Sequence, residues 1–185
     1  MCDQKSEHKV LGSYPNYGEL TSPGYPLPFT KAGECIWKIR VNSGEHIQFQ
    51  ILDVDLEDAY HINCGNNFVQ VFGGINPSGN PLIQRYCGFH KDDLTSVDCQ
   101  PEKLPEGSFC RPLPQPVYSL SNQMVVEFQS DGKGYPGKGF SSYYQLGCGG
   151  SLYIPSQFSS PDYPNAYPKK RECIYNLYAD SGNRF

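Results

Sequence analysis

Eight cysteines, at positions 2, 35, 64, 87, 99, 110, 148 and 173, have the widest chemical repertoire in this chain. Their thiolates can hold a metal or pair as disulfides. Zinc sites ask for closely spaced ligands such as C-x-x-C, completed by a second pair or by histidines. No C-x-x-C occurs, and the four histidines, at 8, 46, 61 and 90, keep no such spacing to the cysteines. An even cysteine count then reads as a disulfide framework, with its pairing left open by arithmetic alone, and as export to an oxidising compartment. Other reactive patterns fail on inspection. GKGYPGK (132–138) supplies the G-x-x-x-x-G-K part of a phosphate loop. Gly139 stands where Ser or Thr is required, however, Pro136 interrupts the loop, and the following FSSYY alternates like a strand, so a turn is expected. Asp53 and Asp55 alternate beside Val54, which reads as exposed-face or turn chemistry and not as an acid–base pair. The sequence has no HExxH, no serine-nucleophile pattern and no N-x-S/T sequon. A non-enzymatic chain is expected.

The elements that would position these residues are strands. CIWKIRV alternates apolar and polar residues, NSG turns the chain, and HIQFQI alternates again, which predicts a hairpin with one buried face. FVQVF, LIQRYC, MVVEF and FSSYYQL add further short strands, separated by turns drawn from 19 Gly and 16 Pro. Many short strands with such turns predict an antiparallel sandwich or jelly roll. Residues 90–117 break the rhythm with prolines at 101, 105, 112, 114 and 116, and read as a long surface loop holding Cys99 and Cys110. Net charge is −4 with both signs interspersed, which argues against a nucleic-acid partner. No run approaches the ~18 apolar residues of a transmembrane helix. The opening MCDQKSEHKV lacks the apolar centre of a signal peptide. Export chemistry without a leader is what an internal piece of a longer secreted chain is expected to show.

One pattern repeats. SPGYP at 22–26 returns as SPDYP at 160–164, and Cys35, Ile36 and Trp37 are matched in the same register by Cys173, Ile174 and Tyr175, as Ser43-Gly44 is by Ser181-Gly182. That period is far longer than the ~20 to 50 residues of solenoid repeats. It reads as whole domains in series.

With these pieces in place, the chain resembles the CUB domain family. The matching stretches are GELTSPGYP, CIWKI, SGEHIQFQILDVDLE, Cys64, VQVFGG, LIQRYCG, MVVEFQSD and GKGFSSYYQL, while CGGSLYIPSQFSSPDYPNAYP and CIY resemble the opening of a second copy. The resemblance implies an all-β, CUB-type antiparallel jelly-roll β-sandwich. One complete domain would occupy 1–147, with the Pro-rich, Cys-containing insertion at about 90–117, and a truncated second domain would occupy 148–185. It implies bridges Cys2–Cys35, Cys64–Cys87 and Cys148–Cys173, leaving Cys99–Cys110 for the insertion. It also implies calcium as a cofactor, with Glu57 of VDLE, Asn67 of CGNN and Asp131 of FQSD at the ligand positions. Asn67 stands where the family has aspartate, Phe29 stands where it has a supporting tyrosine, and Asp58 lies in a stretched segment before Cys64. The implied partners are protein ligands gripped through a lysine, and neighbouring CUB domains of the parent chain. The implied setting is extracellular, or the cell surface. The implied role is protein binding within a multi-CUB endocytic receptor. Alternatives are a substrate-positioning region of a tolloid- or astacin-like metalloprotease, and a secreted adhesive protein.

Overall fold

Alternation of apolar and polar side chains decides where the strands form and which way each one faces. In this computed structural model the described residues are 6–9, 17–29, 31–41, 45–56, 64–74, 77, 79, 81–90, 95, 97–100, 102–104, 110–119, 121–133, 137–147, 149–153, 160, 163 and 173–179. In chain order the strands are β1 (Ser6–Lys9), β2 (Tyr17–Thr21), β3 (Gly33–Arg40), β4 (His46–Leu56), β5 (Phe68–Phe72), β6 (Ile83–Tyr86) and β7 (Gly88–His90). They continue with β8 (Cys110–Arg111), β9 (Val117–Tyr118), β10 (Gln123–Ser130), β11 (Gly139–Gly147), β12 (Gly149–Tyr153) and β13 (Ile174–Tyr178). The first sheet has the order β1-β3-β10-β5-β6; the second runs β2-β11-β4-β7-β8, with β9 also on β4.

The expected hairpin of CIWKIRV and HIQFQI does not form. β3 lies in the first sheet and β4 in the second. Alternation reports which side chains are buried, not which strand is the partner. A sandwich meets both strands' need for a buried stripe by setting them across the core from each other. Cys35, Trp37 and Ile39 of β3 point inward, as do Ile47, Phe49 and Ile51 of β4. Phe140 of β11 is wholly buried between Trp37 (ring centroids 5.8 Å apart, planes at 79°) and Phe128 of β10 (5.6 Å, 42°), so one ring touches the opposite sheet twice. Phe29, half-buried, packs edge-on against Phe128 at 5.3 Å and so lines the edge of the core.

Segment 90–117 is anchored at both ends to the sandwich. β7 and β8 pair in parallel through Phe89 and Cys110, a 3-10 turn spans Val97–Cys99, and the sulfurs of Cys99 and Cys110 are joined. Arg111 lies over the Tyr86 ring at 4.0 Å, and the Tyr86 hydroxyl donates to the Pro112 carbonyl. Burial pushes that hydroxyl up to about 12 in spite of the neighbouring guanidinium, so it stays a donor at any physiological pH. Cys64 is bonded to Cys87. Cys35 and Cys173 each belong to a disulfide of their own, while Cys2 and Cys148, expected as their respective partners, lie outside the described residues.

Two features recur along the chain. β1 runs parallel to β3, and in a separate two-stranded sheet β12 runs parallel to β13, so that Trp37 and Tyr175 face Ser6 and Gly150 in like fashion. The Tyr25 amide donates to the Ser22 carbonyl at 3.1 Å, and the Tyr163 amide to the Ser160 carbonyl at 3.2 Å. The same backbone bond therefore closes on the first and fourth residues of both pentapeptides.

Two measurements check this account of the packing. Phe140→Ala should destabilise the sandwich by about 3–5 kcal/mol, the range for emptying a buried aromatic site, read as a lowered urea midpoint. Tyr86→Phe should cost about 1 kcal/mol and speed limited proteolysis within 90–117, with the far-ultraviolet dichroism spectrum unchanged.

Candidate functional site

Antiparallel pairing of β5 with β10 sets Phe68 opposite Gln129. The residues just beyond this end of the pair, Asn67 before β5 and Asp131 after β10, therefore meet although they are 64 apart in sequence. The Cys64–Cys87 bridge holds the turn that delivers Asn67, and Cys64 itself sits in the left-handed region at φ 51°. Asn67 is 5% exposed. Its Oδ1 accepts the Asp131 backbone N–H at 3.2 Å, and its Nδ2 donates to Asp131 Oδ1 at 3.4 Å. Because the amide atom facing an N–H must be the oxygen, this network fixes the side chain's orientation. The Lys133 amide donates to the same Asp131 Oδ1 at 2.9 Å, and the Gly132 amide to Ser130 Oγ at 3.1 Å. None of these bonds uses Asp131 Oδ2.

Of the three residues expected as calcium ligands, Asn67 and Asp131 thus stand together, and Glu57 lies outside the described residues, as does Asp58. Calcium takes six to eight oxygen ligands and favours carboxylates. Asn67 and Asp131 offer hard oxygen chemistry of the right kind, with one carboxylate where an aspartate at 67 would have made two. Among the described residues no group of three or more His, Cys, Asp or Glu is placed to hold a metal ion. The pair also works without one, as a neutral amide clip on a carboxylate.

Asp53 and Asp55 part company. Asp53 accepts the Tyr25 hydroxyl at 2.7 Å. Asp55, expected at an exposed position, is 6% exposed, and its Oδ1 has no hydrogen-bond partner among the described residues. The cause is a contact remote in sequence: Gly137 packs so closely on Asp55 that a Cβ there would overlap its carbonyl oxygen. Desolvation raises the Asp55 carboxyl above the usual range, and Asp53 adds to this, while Lys138 opposes it. Local alternation carried no signal for that burial. GKGYPGK is accordingly a structural turn, with Gly137 against Asp55 and Gly139 leading into β11.

Comparison with known proteins gives a consistent result. Residues 12–100 match the CUB domain model. Cubilin of Homo sapiens is 34% identical over 169 residues, which is 90% of this chain and 4% of that protein's length. Tolloid-like protein 2 of Homo sapiens is 29% identical over 166 residues, 89% of this chain and 14% of its own length. Among solved structures, the MASP-1 CUB2 domain bound to Ca2+ matches with a TM-score of 0.50 at 21% identity, covering 78% of this chain and 99% of that one. The CUB1-EGF-CUB2 domains of rat MASP-1 match with a TM-score of 0.53 at 21% identity, covering 97% and 73%. These structural likenesses establish the fold, a CUB-type sandwich. Among the described residues no helix is long and apolar enough to cross a membrane.

Replacing Asn67 by Leu leaves the Asp131 amide without its acceptor and removes one of the two donors to Asp131 Oδ1. Asn67→Leu should lower stability by about 1–3 kcal/mol, the cost of leaving buried polar groups unpaired, measured by chemical denaturation in a chelating buffer.

Proposed function

We propose a function from the premise that this chain belongs to the CUB domain family: it is a non-catalytic, extracellular protein-binding module of a larger multi-CUB protein related to cubilin. The observation that carries this reading is the 34% identity to cubilin across 90% of the chain, a span that takes in both copies of the S-P-x-Y-P turn. On this reading residues 1–147 form one domain with an insertion at about 90–117, and 148–185 open the next. Disulfide-bonded cysteines support an extracellular setting. Binding would run through loops at the Asn67–Asp131 end. There Glu57, Asn67 and Asp131 would hold calcium, whose charge would fix the loops. Asp131 and Glu57 would face a lysine of a protein ligand. The likeness to the Ca2+-bound MASP-1 CUB2 domain supports calcium at the level of fold. With asparagine at 67, two carboxylates serve in place of three, and affinity should be weak.

Similarity to tolloid-like protein 2 favours a second reading, a substrate-positioning region in a secreted metalloprotease. The parent transcript decides between them: further CUB modules without HExxH fit the receptor, and an astacin-type HExxH module fits the protease.

Calorimetry of the full chain against Ca2+ tests the site. Binding heat in the millimolar range is expected, lost in Asp131→Ala and strengthened about tenfold or more in Asn67→Asp, which adds a ligand charge. In chelator, Asn67→Asp should melt below the parent, because two carboxylates then face each other, and calcium should reverse the loss. Absence of heat, or heat unchanged in Asp131→Ala, would sink the calcium reading.

A further inference from the structure

The two outer faces of the sandwich differ in charge. Strands of the first sheet carry Lys38, Arg40 and Arg85 interspersed with Glu34 and Glu127. Strands β2, β4, β9 and β11 of the second sheet contain no lysine or arginine at all. The nearest cation along the chain, Lys138, precedes β11 and lies near Asp55. Sheet faces left to water are ordinarily studded with charge, lysine above all. This one is studded with tyrosine and glutamine.

Strand register arranges them. Tyr17, Gln145, Gln48 and Tyr118 form one row across β2, β11, β4 and β9, and Glu19 and Tyr143 sit side by side in the next. Tyr17 is 55% exposed and Tyr118 41%. The Tyr17 and Tyr143 rings lie 5.9 Å apart with planes tilted by 30°. The Tyr143 hydroxyl donates to Gln145 Oε1 at 2.8 Å, and Gln145 Nε2 donates to Gln48 Oε1. This network fixes the side chains in the free protein, so little ordering remains to be done on binding. Rigid tyrosine with depleted lysine is the composition of an interface core. Glu19 is the one acidic residue in these two rows.

We propose that this face docks a protein partner through an arginine of that partner, its guanidinium laid on the Tyr17–Tyr143 rings and paired with the Glu19 carboxylate. Charge decides the sign of the ligand: the Glu19 carboxylate, on strands β2, β4, β9 and β11 that bear no lysine or arginine, repels an acidic group and admits a basic one, Arg111 of the same sheet lying away on β8. Shape decides between the bases. Guanidinium is planar, weakly hydrated, stacks on aromatic rings and binds a carboxylate through a two-pronged fork, whereas an ammonium is a compact, strongly hydrated point charge. A neutral glycan could use the rings and amides but would leave Glu19 with no counterpart. The surface lies on the other sheet from Asn67 and Asp131, so it is a second contact independent of the calcium reading.

Nuclear magnetic resonance titration of the full chain with the peptide acetyl-Gly-Arg-Gly-amide tests it. The Tyr17 and Tyr143 ring signals should shift saturably at millimolar peptide, the Gly-Lys-Gly analogue should bind several-fold more weakly, and Gly-Glu-Gly should produce no shift. Glu19→Gln should weaken the arginine peptide about fivefold, and Glu19→Lys should abolish its binding, each with the remaining amide spectrum preserved. Asp131→Ala should leave the titration unchanged, which keeps this test separate from that of the calcium site. The proposal fails if the tyrosine rings do not respond to arginine, or if Glu19→Gln binds as the parent does. It also fails if a neutral oligosaccharide such as chitotriose, or self-association of the chain, perturbs these rings where the arginine peptide does not.

Discussion

The buried ring of Phe140 is the point on which the sandwich turns. It belongs to β11 in the second sheet but packs on Trp37 and Phe128 of the first, so aromatic contact joins the two sheets at this position. Its neighbours secure the strand that carries it. Ser22 exchanges bonds with the Phe140 backbone, its Oγ accepting the amide and its own amide donating to the carbonyl, each at 3.0 Å. Gly139, at φ +98°, lies so close to Ser22 that a Cβ would overlap the serine Oγ. The glycine that breaks the phosphate-loop pattern is therefore the one the core requires. With β11 held by its inward residues, its outward residues Tyr143 and Gln145 are placed as firmly as the core itself.

Strand positions were legible because each strand has one buried face, and the period of two is written in the side chains. Partnership was not legible. β3 and β4 alternate as a hairpin would, yet they belong to opposite sheets, since the same pattern serves any surface that covers a core. Asp55 shows the same limit at the scale of one residue. Its alternation with Asp53 predicted exposure, and a glycine over eighty positions away buries it. Asn67 and Asp131 could be put together only through family resemblance, because nothing local links a turn after a cysteine to the end of a distant strand. The cation-free face could be read only once the topology had gathered β2, β4, β9 and β11 into one sheet; taken singly, each strand is too short for the absence of lysine to mean anything.

The two ends of this domain's chemistry follow different designs. At Asn67 and Asp131, a buried amide and a half-buried carboxylate bond to each other and to backbone amides, and the polar groups are costly to disturb. On the second sheet the polar groups sit outside, linked side by side along the surface, and the apolar parts of the tyrosines remain open to contact. The first arrangement suits a loop that must hold a shape. The second suits a surface that meets another surface.

Ser22 and Phe140 are 118 residues apart, and they close the sandwich on itself. A chain made from its N-terminus cannot form that closure until β11 has emerged. Until then β4 lacks its neighbour in the second sheet, and the order of synthesis leaves the most distant contacts of the fold to the end. A CUB unit of this kind consequently stays open until β11, late in its own chain, has been made. In a chain of many such units, each new one would be incomplete while its predecessor is already shut.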